Sequence, residues 1–416
     1  MINQLVTIIV FFGVYIISFW VLTMFNIERK LPKLSKYPSI TILIPAYNEE
    51  EGIRRTIESC LKLDYPGVLE LLVVDDASKD NTCGIVKEYG QVKLLSLKKN
   101  RGKAAAVNKG LKQIKTEYFS IVDADSVVSS KSLKKAMPLF YRKDKEKVGA
   151  VISKLKPENE DRNLVERTQV IEYMIVGLVR NLLANLRLLH ITPGVLSIYK
   201  TDLVKKLGYF DENNLTEDYE IGVRIRKSGH LVDFSDESLV FTRTPNTWRQ
   251  LFKQRIRWAR GFFQTHFKHK DIYFNKKHGL FGLYEFPLNM FSIIVLLTAV
   301  SIFAYNIFRG VYEFLFKLIN TPSLISWFEW QGLYAALLAT DSQLLIPIIF
   351  TVFVTLFFVY FVKTFYSSDF FKKNKTRKFL ALFLYIFIYS YIYVYIILKG
   401  LFMELTGKKY DWGTKK

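Results

Sequence analysis

The chain has 416 residues, 59 Lys+Arg against 38 Asp+Glu, and a formal net charge of +21. Half of it is hydrophobic and 15% is aromatic, a combination that a soluble nucleic-acid-binding protein rarely shows. The 34 Phe and 24 Tyr exclude a disordered basic tail, and two cysteines, Cys60 and Cys83, exclude a disulfide scaffold or a four-cysteine zinc site.

In chain order, residues 5–25 form an uncharged apolar run long enough to cross about 30 Å of hydrocarbon as a helix. No basic residue precedes the run and no A-x-A site follows it, so an uncleaved anchor is expected. Glu28-Arg29-Lys30, Lys33 and Lys36 follow, which by the positive-inside rule places the next segment in the cytoplasm. Residues 37–262 hold no spanning run and are large enough for a domain with its own core. Residues 39–45 are a β-branched run ended by proline, hence a buried strand. Ala46-Tyr47-Asn48-Glu49-Glu50 reads as a turn into a helix over 53–61. Further strands are expected over 69–74, 92–97 and 118–122, ending in Asp75-Asp76-Ala77-Ser78 and Asp123-Ala124-Asp125. Strands alternating with helices predict an α/β domain with a mostly parallel, Rossmann-like sheet.

Ligands of such sheets bind beyond the carboxyl ends of the strands. Tyr47, Asp75, Asp76, Asp123 and Asp125 all fall there. No G-x-G-x-x-G or G-x-x-x-x-G-K-[ST] occurs at the first strand, which argues against dinucleotide and P-loop enzymes. The spacing Asp123-x-Asp125 suits a divalent cation whose shell is completed by a ligand's phosphates, and equally suits a capped turn. Arg101-Gly102-Lys103 supplies cations and a glycine where a backbone can approach a diphosphate, or is a solvated turn. Thr216-Glu217-Asp218 offers a carboxylate that could deprotonate a hydroxyl, or a helix start with Thr216 as its cap. Gln254-Arg255-Ile256-Arg257-Trp258 lies in an amphipathic pattern expected to form a helix at the cytoplasmic leaflet. Residues 164–189 read as a long domain helix able to touch the membrane, with Glu166, Arg167, Glu172, Arg180 and Arg187 arguing against a span. His266 and His269 are read as surface side chains rather than a metal pair. Three more apolar runs, 286–308, 342–362 and 379–398, give four expected spans in all.

Taken in order, these motifs resemble the processive family-2 glycosyltransferases, the synthases of cellulose, chitin, hyaluronan and poly-N-acetylglucosamine. One N-terminal and three C-terminal spans are similar in layout to the poly-β-1,6-N-acetylglucosamine synthases. The resemblance implies a GT-A cytoplasmic domain over 31–262, an anchor over 1–30, and an interface helix with transmembrane helices over 263–416. It implies an inverting, multi-pass plasma-membrane enzyme moving a sugar from a UDP-sugar donor to a growing polysaccharide acceptor, with a small membrane subunit as a further partner and no nucleic acid. In that reading Tyr47 stacks on uracil, Asp76 or Asp75 bonds the base, Lys103 meets the nucleotide and Asp123 the ribose. Asp125, with Asp123, holds Mg²⁺ or Mn²⁺. Asp218 is the general base with Glu217 beside it, and Gln254, Arg257 and Trp258 frame the acceptor sugar and the diphosphate. Ala77 departs from the family's glycine, so the backbone there is expected to avoid conformations that favour glycine. Thr192-Pro193-Gly194 stands where relatives carry a Ser-Gly-type turn near the sugar.

Overall fold

The structure, a computed structural model, describes residues 31–142, 147–159, 162–320 and 375–408. One compact unit comprises Glu28–Leu288 with Ala381–Lys416. It is built on an eight-stranded sheet: β1 (Ile40–Ala46), β2 (Leu69–Asp75), β3 (Val92–Ser96), β4 (Tyr118–Ile121), β5 (Val127–Val128), β6 (Val148–Pro157), β7 (Ser197–Lys200) and β8 (Leu231–Thr242). Their spatial order is β3-β2-β1-β4-β7-β6-β8-β5.

Apolar alternation along β1 explains how the sheet is covered on both sides. Ile40, Ile42 and Ile44 join one core with Ile53, Ile57 and Cys60 of α1 (Ile53–Leu61). Leu43 joins the other core with Val107 and Leu111 of α3 (Lys103–Gln113). Each of these fully buried side chains contributes about 1.5–3 kcal/mol relative to exposure. At Gly110 a Cβ would lie 2.6 Å from Leu43 Cδ1 and 2.8 Å from Val74 Cγ2, so α3 rests directly on the strands. Between β2 and β3 runs the short α2 (Thr82–Lys87).

Strands β3, β2, β1 and β4 are parallel, as their sequence pattern predicts. The other half is not. β7 runs antiparallel to both β4 and β6, and β5 antiparallel to β8, while β6 and β8 are parallel. The sheet is therefore mixed, which corrects the expectation of a mostly parallel one. The connection from β1 goes to β2 on one side, and the chain then crosses to β4 on the other. The crevice beyond the carboxyl ends of β1 and β4 is thus the switch point where open α/β sheets bind ligands.

Two long helices complete the unit. After the short α4 (Ser132–Ala136) and β6, α5 (Leu164–Asn185) begins at Asn163, whose side chain caps the Glu166 N–H. After α6 (Thr201–Lys206) comes α7 (Glu217–Lys227), and after β8 comes α8 (Trp248–Lys268), capped by Thr247. The expected amphipathic helix over the Gln254–Trp258 motif is present as α8. Much of its apolar side is covered by protein. Helix α11 (Tyr389–Leu405) packs along it so closely that a Cβ on Gly400 would sit 2.8 Å from Ala259 Cβ. Glu404 accepts from Arg260 Nε and Gln264 Nε2, both at 3.1 Å.

Beyond a π-helical turn at Phe281–Glu285, α9 (Phe286–Asn320) carries the expected run 286–308. Among the described residues the segment Phe281–Glu313 is the one helix long and apolar enough to cross a membrane. The run 379–398 is divided at Ile388 between α10 (Lys375–Phe387) and α11. The runs 5–25 and 342–362 lie outside the described residues.

Candidate active site

The loop after β1 is stitched to the loop after β2. Asn48, in the left-handed region at φ 53°, donates its N–H to Ser78 Oγ (3.0 Å) and accepts the Lys79 N–H at Oδ1 (2.8 Å). Glu49 N–H donates to Thr82 Oγ1 at 2.9 Å. Tyr47, half-buried, stands at the rim of this pair of loops. Asp75 and Asp76 are buried. The Asp75 carboxylate accepts the Ser78 N–H. The Asp76 carboxylate accepts the N–H groups of Arg101 (2.9 Å) and Gly102 (2.8 Å). Burial raises its pKa even against these two donors. Asp76 therefore fixes the Arg101-Gly102-Lys103 turn, and Gly102, at φ 91°, is a residue that turn requires. Ala77 sits at φ 61°, which overturns the expectation for this position. An alanine occupies a left-handed conformation there at a cost of about 1–2 kcal/mol.

Lys103 opens α3 and forms an ion pair with Asp123, at the end of β4. Burial alone would depress the ammonium pKa, but the charges of Asp123, Glu217 and Asp218 raise it well above its usual value. Lys103 thus holds its proton and links the β4 edge to the start of α7. Thr56 Oγ1 of α1 donates to the Ala124 carbonyl (2.8 Å) and so sets the Asp123-Ala124-Asp125 turn. Asp125 faces a cleft of roughly 350 Å³ that it shares with Asn48, Glu49, Glu50, Glu51, Asp80 and Arg243. Among the described residues no group of three or more His, Cys, Asp or Glu side chains is placed to hold a metal. Two hard carboxylates at one turn, with Asp123 engaged by Lys103, fit a divalent cation only if a ligand's phosphates supply most of the shell.

Thr216 occupies the N-cap position of α7 without capping it; its N–H bonds to Asn214 Oδ1 instead. Glu217 is buried, and burial together with the charge of Asp218 pushes its pKa well above the usual carboxylate range. The Asp218 Oδ2 accepts the Gly194 N–H at 2.7 Å, and Thr192 Oγ1 donates to the Asp218 carbonyl. A Cβ on Gly194 would lie 2.9 Å from Lys103 Nζ and 3.1 Å from Asp218 Oδ2. The Thr192-Pro193-Gly194 turn is therefore packed against the lysine and the carboxylate together.

On α8, Arg257 donates to the Leu215 carbonyl (3.0 Å) and ties this helix to the turn that carries Glu217 and Asp218. Helix α8 also packs on that turn through Gly261, where a Cβ would overlap Thr216. Arg255 is buried; it donates to Glu172 of α5 (2.7 Å) and to Gln254 Oε1 (2.7 Å), and lies 3.9 Å from the centre of the Trp258 ring. Trp258 itself is 36% exposed. Tyr389 of α11 also donates to Glu172 (3.1 Å).

The structure thus brings Lys103, Asp123, Glu217, Asp218 and Arg257 together, with Asp125 one turn away, and turns the Asp75 and Asp76 carboxylates inward onto backbone. The sequence reading named Glu172 only as a charge on the long helix and did not single out Tyr173. Tyr173 feels the charges of Arg255, Glu172, Arg180 and Asp125. Ionisable groups recurring on one face of an apolar helix were the available signal. His266 and His269 are buried, not surface side chains. His266 bonds Tyr219 (3.0 Å) and Tyr273 (2.7 Å), and burial lowers its pKa to about 3. His269 bonds Glu220 at 3.0 Å.

Residues 38–261 match the family described as Glycosyltransferase like family 2, so the chain belongs to that family. It is a glycosyltransferase by that membership. It is similar to a poly-beta-1,6-N-acetyl-D-glucosamine synthase of Staphylococcus epidermidis, with 31% identity over 229 residues, covering 53% of this chain and 54% of the relative. That match spans about half the relative's length. It is also similar to the probable glycosyltransferase YdaM of Bacillus subtilis, 28% identical over 311 residues, covering 68% and 71%. Among solved structures, a mannosyltransferase from Pyrobaculum calidifontis in complex with GDP-Man and Mn²⁺ matches 96% of both chains, with a TM-score of 0.63 and 19% identity. This last likeness bears on the fold alone.

Proposed function

We propose that the chain is an inverting, membrane-embedded transferase that moves N-acetylglucosamine from a UDP-sugar to the end of a growing β-linked polysaccharide. One observation carries the reading: a retained cation, a pair of hard carboxylates and a hydrogen-bonded carboxylate at a helix start converge on the crevice beyond β1 and β4. The similarity to the poly-beta-1,6-N-acetyl-D-glucosamine synthase supports the choice of sugar.

In this reading Tyr47 and the Asp75–Asp76 loop receive the base, with Asp76 acting through the turn it anchors. Lys103 and Asp123 exchange their mutual ion pair for contacts with the ribose and diphosphate. Asp125, with Asp123, would hold Mg²⁺ or Mn²⁺, which when bound offsets charge on the leaving diphosphate. Asp218, oriented by the Gly194 N–H, takes the proton of the acceptor hydroxyl as that oxygen attacks the anomeric carbon from the side opposite the UDP. The displacement inverts an α-linked donor to a β-linkage and uses no covalent intermediate. Glu217, whose pKa burial and the Asp218 charge raise, gives up its proton less readily than an ordinary carboxylate and so lessens the negative charge beside the base. Arg257 fixes the turn, and the part-exposed Trp258 offers an apolar surface for the acceptor sugar.

The length and apolar composition of Phe281–Glu313 support a reading in which the enzyme is held at the plasma membrane, with its catalytic unit on the cytoplasmic side. A small membrane subunit is a further proposed partner. The testing experiment supplies membranes containing the full chain with UDP-GlcNAc, UDP-Glc, UDP-GlcA or GDP-Man and Mg²⁺ or Mn²⁺, followed by linkage analysis. The expected result is polymer from UDP-GlcNAc. Incorporation only into small lipid-soluble product, or only from another donor, would overturn the reading.

A further inference from the structure

Helix α5 carries Tyr173, Gly177 and Arg180 at spacings of four and three, so the three share one face over two turns. Gly177 is buried, yet among the described residues no atom outside the neighbouring backbone of its own helix lies within 4 Å of where its Cβ would be. Open room therefore lies against a buried stretch of helix, with Tyr173 at one end and Arg180 at the other.

Arg180 does not serve the core around it. Its Nε is buried and has no hydrogen-bond partner among the described residues. Burial lowers its pKa to about 10, while Tyr173 and Asp218 act on it electrostatically in the opposite sense. A guanidinium has five donors in a fixed fork, and withdrawing them from water without partners costs free energy. An unfilled guanidinium Nε on the same face as an open space, with Asp218 acting on that guanidinium electrostatically, points to a ligand.

The donor is assigned to Lys103 and Asp123, which pair at the end of β4. Helix α5 is joined instead to α8, by the Arg255–Glu172 ion pair, and the same Arg255 stacks on Trp258, the residue assigned to the acceptor sugar.

We propose that the Tyr173–Gly177–Arg180 face of α5 is a wall of the acceptor site. Gly177 leaves the width for a sugar ring, and Arg180 donates hydrogen bonds to oxygen atoms of the acceptor sugar next to the attacking hydroxyl. The ligand class is a neutral, oxygen-rich glycan end. The inference rests on the UDP-sugar reading of the site, and its test is separable from that reading.

The full chain in membranes is assayed with UDP-GlcNAc and a soluble β-linked GlcNAc oligosaccharide. Two rates are followed: transfer to the oligosaccharide, and UDP release to water without acceptor. Gly177→Leu fills the space and, leucine being the better helix former, does not weaken the helix itself. Gly177→Leu and Arg180→Gln are expected to raise the acceptor KM at least tenfold, with the donor KM and UDP release to water within twofold of the parent. Arg180→Lys, which keeps a cation with fewer donors, is expected to fall between. Unchanged acceptor KM in both Gly177→Leu and Arg180→Gln would overturn the inference. So would equal losses of UDP release and transfer, which mark damage to the donor side or the fold. If the parent chain itself consumes no UDP-sugar, the functional reading fails instead.

Discussion

Gly261→Ala tests how the catalytic turn is held in place. In an exposed helix this substitution stabilises by about 1 kcal/mol, because alanine is the better helix former. Here the sign is expected to reverse. The added Cβ would lie 2.6 Å from Thr216 Cγ2 and 2.7 Å from Thr216 Cβ, and closer still to Oγ1. All three atoms belong to the residue that starts α7, one position before Glu217 and two before Asp218. Overpacking of a filled interior costs about 1–3 kcal/mol, and this overlap is severe enough to belong at the upper end. Net destabilisation of about 1–2 kcal/mol follows, with displacement of the Asp218 carboxylate from the Gly194 N–H. Misplacement of a reacting group by an ångström can cost about a hundredfold in rate. Thermal unfolding and sugar-transfer kinetics on the same membranes read both effects. Thr216→Gly removes the opposing atoms, so the double variant is expected to recover most of the stability lost by Gly261→Ala. Parental stability and rate in Gly261→Ala, or a double variant no better than the sum of the singles, would refute the packing argument.

Ala77→Gly relieves a left-handed alanine at about 1–2 kcal/mol, while glycine's freedom in the unfolded chain takes back about 0.5–1 kcal/mol. A small rise in unfolding midpoint is expected, and a fall would show that the Ala77 methyl is held by its surroundings. Glu220 is buried and its pKa falls from 4.5 to about 2, since bonds from His269, Lys268 and Arg224 outweigh burial. A depressed carboxylate contributes stability that is fully present above its unfolded pKa and is lost as pH falls through the folded one. About 3 kcal/mol is therefore expected to disappear between about pH 5 and pH 2. Glu220→Gln should flatten that part of a stability-against-pH curve, and an unchanged acid limb would contradict the assignment. Glu404→Ala leaves the Arg260 guanidinium buried beside Gln264 with its carboxylate gone. A cost of about 3–5 kcal/mol is expected for breaking such a pair, read as early unfolding of the catalytic unit, with Glu404→Gln recovering part of it.

How far the sequence foretold this arrangement depends on the element. Strands β1 to β4 are short apolar runs punctuated by polar turns, because parallel strands buried on both faces carry no alternation to confuse the reading. Their terminal carboxylates were legible for the same reason. Strands β6, β7 and β8 come from distant segments, and their antiparallel and parallel pairings are set by long-range packing that no local pattern announces. Helix α5 was legible as a long domain helix from its charged residues, but its ion pair with Arg255 of α8 joins residues far apart in the chain, which no local pattern announces. The burial of His266 and His269 rests on aromatic and carboxylate partners as far away as Tyr219 and Glu220, which spacing along one helix does not disclose. At Ala77 the conformation follows from the loop's bonds to Asn48 and Asp75 rather than from the residue's own preference.

The central claim is that Asp218 is the base of a UDP-sugar transferase. Asp218→Asn keeps an oxygen to accept the Gly194 N–H but cannot take a proton at neutral pH. The direct measurement is transfer from UDP-GlcNAc to acceptor by this variant, alongside its affinity for UDP in the same membranes. Transfer is expected to fall by at least a thousandfold with UDP affinity within a fewfold of the parent; transfer at the parental rate would contradict the account.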